Sequence, residues 1–177
     1  RDLRMSRGLG DVYKRQMKSS HFTPVNTDGG HAPMLGGGLC TTLHDYMRFL
    51  DMIYHNGVFE EKQILKPETI HEMQADQVGN AEVHPGEYVE RALKKYHTGI
   101  YGLGEWRELI DEATGEAYQI SSPGWAGAYP WINKQGRVYG FFIAHVQGSS
   151  QKEDGFSSFY GSPVISQTVS NIISLKR

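Results

Sequence analysis

The chain has 177 residues, of which 38% are hydrophobic and 21% charged, and its formal net charge is −2. That is enough chain for one domain with a real core, and the charge balance demands neither nucleic acid nor an anionic membrane as a partner. The 21 glycines point to tight turns and close backbone approach, the single cysteine excludes an internal disulfide, and no apolar run reaches membrane-spanning length.

Residues 1–16, RDLRMSRGLGDVYKRQ, are basic and follow no helical or strand period. They read either as a basic arm for nucleic acid or as a disordered or non-native leader. The second reading is favoured, because the string resembles translated sequencing-adapter sequence of the kind found at the ends of environmental gene fragments. Residues 17–177 are then expected to be the C-terminal portion of one domain, entered part-way.

His21 to Gly38 is polar and turn-rich. Its glycines do not make a nucleotide-phosphate loop, because Gly38 is followed by Leu39-Cys40 and not by Lys-Ser/Thr. Thr41 to Asn56 predicts a helix. Thr42 is its N-cap, Asp45 returns the bond, and Tyr46, Phe49, Leu50 and Ile53 form its apolar face. Asn56-Gly57 closes it with a left-handed cap. Pro67 opens a second, shorter helix with Ile70 and Met73 turned inward. Asp76 to Lys95 predicts a surface excursion, Gly99 to Trp106 a strand with glycine kinks, and Asp111 to Glu116 a hairpin turn.

Ser121 to Val146, SSPGWAGAYPWINKQGRVYGFFIAHV, is the most informative stretch. A turn containing Gly124 and Gly127 leads into a short apolar strand, Ala128 to Asn133. Lys134-Gln135-Gly136 reverses the chain into Arg137 to Val146, whose continuous apolar character suits a strand in the middle of a sheet. Glycines at such a strand let a ligand or another backbone approach closely. After a polar loop from Gln147 to Gly161, Ser162 and Pro163 predict the N-cap and first residue of a last helix. Ile165, Val169, Ile172 and Ile173 would be its buried stripe. The order helix, helix, strands, helix implies an α+β fold, an antiparallel sheet flanked by helices.

Eight histidines show no close pair at ligand spacing, and His71-Glu72 lacks the second histidine of a zinc-protease motif, since Ala75 stands there. No metal or cofactor is expected. No Gly-x-Ser-x-Gly elbow is present, and Asp45 and Glu72 read as helix-terminal or helix-surface charges.

Gly36-Gly37-Gly38-Leu39-Cys40-Thr41-Thr42-Leu43-His44-Asp45-Tyr46-Met47-Arg48-Phe49 resembles a block of the serine β-lactamase-related family. That family includes class C β-lactamases, DD-peptidases and esterases of the same fold. Gly57-Val58, Ile64-Leu65-Lys66-Pro67-Glu68 and Met73 continue the likeness, with Lys62 where the family usually has glycine. Aligned on Trp131-Ile132-Asn133, the family's strand triplet (Lys-Thr-Gly, His-x-Gly or Trp-x-Gly) falls on Ser122-Pro123-Gly124. Trp125-Ala126-Gly127 fits Trp-x-Gly by letters but lies three residues later.

The resemblance implies an acyl-enzyme mechanism on a small-molecule ester or amide. Trp125 N–H would be one oxyanion donor, with Gly124 and Gly127 admitting the acyl group along the strand edge. Such preset donors stabilise a transition state by about 3–4 kcal/mol each. Ser122 is the catalytic candidate of the triplet, although serine offers only a hydroxyl where the family has lysine or histidine; a plain strand-end role is the alternative. That departure favours an esterase-like or degenerate site over a β-lactamase. Tyr129, with Trp125 and Trp131, is read as lining an acyl pocket or as simple packing. Ser149-Ser150-Gln151-Lys152 and Tyr54-His55-Asn56 match the family's Ser-x-x-Lys and Tyr-x-Asn in letters only, because each stands in the wrong order relative to the other blocks. The nucleophile, lysine and tyrosine are therefore expected upstream. The alternative function is a non-catalytic binding domain of the same fold. Proteins of the family are often periplasmic or secreted.

Overall fold

The computed structural model describes residues 41–81, 98–124, 127–144 and 158–176. The chain divides into two units, 1–46 and 47–177. Of the first, only 41–46 falls within the described residues, and it forms the start of the first helix. The leader, the GGGL stretch, most of the charged excursion and the Ser149–Lys152 motif lie outside them.

Helix α1 spans Leu43–Tyr54. Its start follows the sequence: the Asp45 N–H donates to Thr42 Oγ1 at 3.2 Å. The return bond differs from the expected capping box, for the Thr42 hydroxyl donates to Asp45 Oδ2 at 2.9 Å. Burial is confined to the C-terminal half, at Leu50, Met52 and Ile53. Phe49 lies on the same arc but stays 45% exposed, so the predicted apolar face is core only over its last turn. Asn56 and Gly57 then adopt φ of 53° and 88°, and Gly57 N–H donates to Met52 O at 2.8 Å. A Cβ on Gly57 would stand 2.0 Å from Leu65 O, so glycine is required there twice over.

A two-residue ribbon, β1 (Val58–Phe59) and β2 (Lys62–Gln63), pairs antiparallel. It leads to α2, Pro67–Gln74, which starts at the proline as expected and fully buries Ile70.

The main sheet has four antiparallel strands in sequence order: β3 (Trp106–Ile110), β4 (Ala117–Ser121), β5 (Ala128–Asn133) and β6 (Val138–Ile143). The glycine-kinked strand expected over Gly99 to Trp106 is instead a run of bends with one bridge between Tyr101 and Trp106. Gly99 and Gly104 take positive φ, which breaks the extended ladder, and β3 begins only after them. The 111–116 turn is as expected: Asp111 N–H donates to Glu116 O at 2.9 Å, and Asp111 Oδ1 accepts Ala113 N–H at 2.8 Å. β6 is not central. Among the described residues it pairs with β5 alone, and Ile143 is 58% exposed. Its residues from Val138 to Phe142 are half-buried.

Helix α3 spans Ser158–Leu175. It starts earlier than the sequence suggests, so Ser162 is a buried residue within the helix and Pro163 lies inside it. Pro163 is the sixth residue of the helix, past the first turn, and so supplies no N–H for the backbone bond four residues back. The stripe facing the protein interior is Ser162, Ser166 and Ser170, while Ile172 is 49% exposed and Ile165, Val169 and Ile173 are only half-buried. Ser170 and Ser174 return their hydroxyls to the carbonyls four residues back at 2.8 and 2.9 Å, which satisfies them without an outside partner.

The two sheet faces carry different chemistry, because alternate strand residues point to opposite sides. Ile120 pairs with Ile132, and Ile132 with Tyr139, on one face. Tyr139 hydroxyl donates to Asp51 Oδ1 of α1, and Arg107 Nε donates to the Gln74 carbonyl at the end of α2. Helices α1 and α2 therefore cover that face. Gln119, Tyr129 and Asn133 project to the other, where Gln119 and Tyr129 meet Ser166 of α3. The architecture is α+β, as the element order implies.

Candidate active site at the β4–β5 turn

The residues assigned to a site by sequence cluster at the connection between β4 and β5. Pro130 shows why the strands part here. In an interior strand a proline removes a ladder donor, yet β4–β5 pairing runs only as far as Ser121 opposite Trp131. Beyond it the Ser122 N–H still donates to Pro130 O at 3.2 Å, and nothing is asked of the proline nitrogen. The chain then closes a tight loop. Gly124 N–H donates to Ala128 O at 2.7 Å, Gly127 N–H to Gly124 O at 2.9 Å, and Ala144 N–H of the segment after β6 to Gly127 O at 3.0 Å. Gly127 has φ of 95°, a conformation glycine adopts without strain.

Ser122 is exposed, and its hydroxyl donates to Gly104 O at 3.1 Å, tying the turn to the loop before β3. Gly124 and Gly127 stand at the two ends of the turn. A Cβ on Gly124 would meet only Ala128 at ordinary contact distance, 3.7 Å. Trp125 lies outside the described residues. Tyr129 is brought beneath the turn, fully buried. Its hydroxyl donates to Glu108 Oε2 at 2.8 Å and lies 3.0 Å from Ser166 Oγ, and its ring stacks on Trp131 with centroids 5.5 Å apart. Burial, followed by the adjacent Glu108 carboxyl, holds the Tyr129 phenol well above its ordinary pKa, so it stays a donor. Tyr54 is the last residue of α1, with His55 and Asn56 in the turn that follows, and the Tyr54 ring packs 5.2 Å from that of Tyr139.

Sequence reasoning missed the interior network below this turn. The β3–β4 register shifts between Arg107 and Leu109, so Glu108 is the extra residue of a bulge. The bulge turns its carboxyl inward, where it accepts from Ser121 Oγ, from Gln119 Nε2 at 2.7 Å and from Tyr129. Gln119 Oε1 accepts in turn from Asn133 Nδ2 at 2.9 Å. The one visible sequence signal was the four-residue spacing of Ser162, Ser166 and Ser170.

A second polar cluster lies near the end of α2. Lys134 presents an exposed surface overall, but its ammonium is drawn in to donate to Gln74 Oε1. Glu105 Oε1 and Gln74 Nε2 are buried there without a hydrogen-bond partner. Burial raises the Glu105 carboxyl to about 7 against the opposing pull of Lys134, and burial likewise lowers Lys134. Among the described residues no group of three or more His, Cys, Asp or Glu side chains could hold a metal ion, and no helix is long and apolar enough to cross a membrane.

No protein-family model matches the chain, and no curated protein does. Among solved structures, the chain is similar to the crystal structure of a "putative beta-lactamase from Bacteroides dorei DSM 17855". The two are 77% identical with a TM-score of 0.75, over 86% of this chain and 46% of that one. The chain thus spans about half the length of the solved structure that it matches. That likeness, with the α+β architecture and the motif blocks, supports a β-lactamase-related family for this chain.

Proposed function

We propose that the chain contributes the strand side of an acyl-transfer site in a serine hydrolase acting on an ester or amide. The carrying observation is the glycine turn at the open end of β4 and β5, closed by the Gly124 and Gly127 hydrogen bonds. In this reading the acyl group lies along the turn at that strand end. In this reading Trp125 N–H is an oxyanion donor, Gly124 and Gly127 give access, and Ser122 borders the substrate. A donor preset toward the developing oxyanion is worth about 3–4 kcal/mol. The serine nucleophile, with its lysine and tyrosine partners, belongs to the rest of the protein.

An ester is the favoured substrate. Ser122 carries no positive charge to hold a substrate carboxylate, and its hydroxyl is engaged with Gly104 O. The test is to express the complete reading frame and assay p-nitrophenyl acetate and nitrocefin. We expect a burst of p-nitrophenol followed by slower turnover, and weaker action on nitrocefin. An inert protein would leave the fold as a binding domain. Turnover by the present chain that is lost on Ser149→Ala would overturn the reading of Ser149–Lys152 as a chance match.

A further inference from the structure

We propose that Glu108 is a positioning residue that holds the two ends of the β4–β5 turn at a set height over the sheet. The inference rests on the acyl-transfer reading only for its consequence in catalysis. Glu108 takes hydrogen bonds from Ser121, the last residue of β4, and from Tyr129, the second residue of β5. These flank Ser122–Gly127 on both sides. A third bond from Gln119 and the contact of Tyr129 with Ser166 extend the hold into α3.

The placement is specific. Glu108 reaches the interior because it is the bulge residue, and its side chain meets both strands that bound the turn. Burying a carboxyl is costly unless its oxygens are satisfied, and here both oxygens accept. The β4–β5 ladder sets the register of the two strands as far as Ser121 opposite Trp131, and the carboxyl acts at the point where that ladder ends. Directional bonds to a shared carboxyl hold the strand ends there, and a fully satisfied polar network specifies one arrangement of the groups that make it. Ser121 is covalently next to Ser122, and Tyr129 lies two residues beyond Gly127. A shift of either strand end therefore moves the turn residues joined to it, Ser122 to Gly124 on one side and Gly127 on the other.

The experiment uses protein from the complete reading frame with Tyr129→Phe and Ser121→Ala, each removing one donor to Glu108 and leaving the packing nearly unchanged. Ile70→Val, in α2 and away from the network, serves as the stability control. Loss of one hydrogen bond is expected to lower kcat on p-nitrophenyl acetate about tenfold with KM little changed. Amide exchange at Gly124 and Gly127 should quicken about tenfold, while the Gly115 amide, bonded to Asp111 O at the far hairpin, keeps its rate. The proposal is overturned if exchange rises equally at Gly115, if it does not rise at Gly124 and Gly127, or if Ile70→Val with the same Tm loss lowers kcat as much. Should the wild-type protein turn over neither ester nor amide, the acyl-transfer reading fails. The exchange measurement then still decides whether Glu108 positions the turn.

Discussion

Glu105 offers a test of the second polar cluster through pH. Its carboxyl has a folded-state pKa of about 7 against an ordinary 4.5, because burial penalises the ionised form more than Lys134 stabilises it. The folded protein therefore binds this proton more tightly than the unfolded chain does. Stability from this group is fully present below pH 4.5 and is lost as pH rises through 7. A difference of roughly 2.5 pKa units at about 1.4 kcal/mol each gives a penalty of about 3 kcal/mol above pH 7. Glu105→Gln keeps the shape and removes the titration. Urea unfolding of both proteins at pH 4.5 and pH 8 reads the effect. The variant should match the wild type at the lower pH and exceed it by up to about 3 kcal/mol at the higher, a midpoint shift of about 1–2 M urea. An equal difference between the two proteins at both pH values would refute the reasoning, because no titrating group would then distinguish them.

Two further substitutions probe the frame that carries the turn. Gly57→Ala places a Cβ 2.0 Å from Leu65 O at a φ of 88°, and should cost about 2–4 kcal/mol by thermal or urea unfolding; a loss under about 0.5 kcal/mol would show that the α1 end moves freely. Tyr139 is held up to about 12, first by its hydrogen bond to Asp51. Asp51→Asn should return that phenol toward its ordinary range, seen as one tyrosine titrating earlier in ultraviolet titration and absent in the Tyr139→Phe protein; an unchanged titration would remove Asp51 as the cause.

The sequence by itself determined the features that depend on neighbouring residues. Thr42 marks the start of α1, Asn56-Gly57 its end and Pro67 the start of α2, because caps and left-handed turns follow from backbone chemistry within a few residues. The apolar run Ala128–Asn133 is β5 with the bounds its composition implies. The turn with Gly124 and Gly127 is legible for the same reason, although Trp125 falls outside the described residues. What lies under it is not legible. No local signal marks Glu108 as a bulge, since the extra residue exists only against the register of β4. Nor does the pattern of α3 reveal that serines face the interior in place of Ile172. That choice belongs to the surface opposite, where Gln119 meets Ser166 across 47 residues of chain. Which side of a helix is buried depends on what it packs against, and here a polar sheet face selects hydroxyls that can pair over side chains that cannot. The turn was written in the chain, and the carboxyl that holds its ends was placed only by strand pairing.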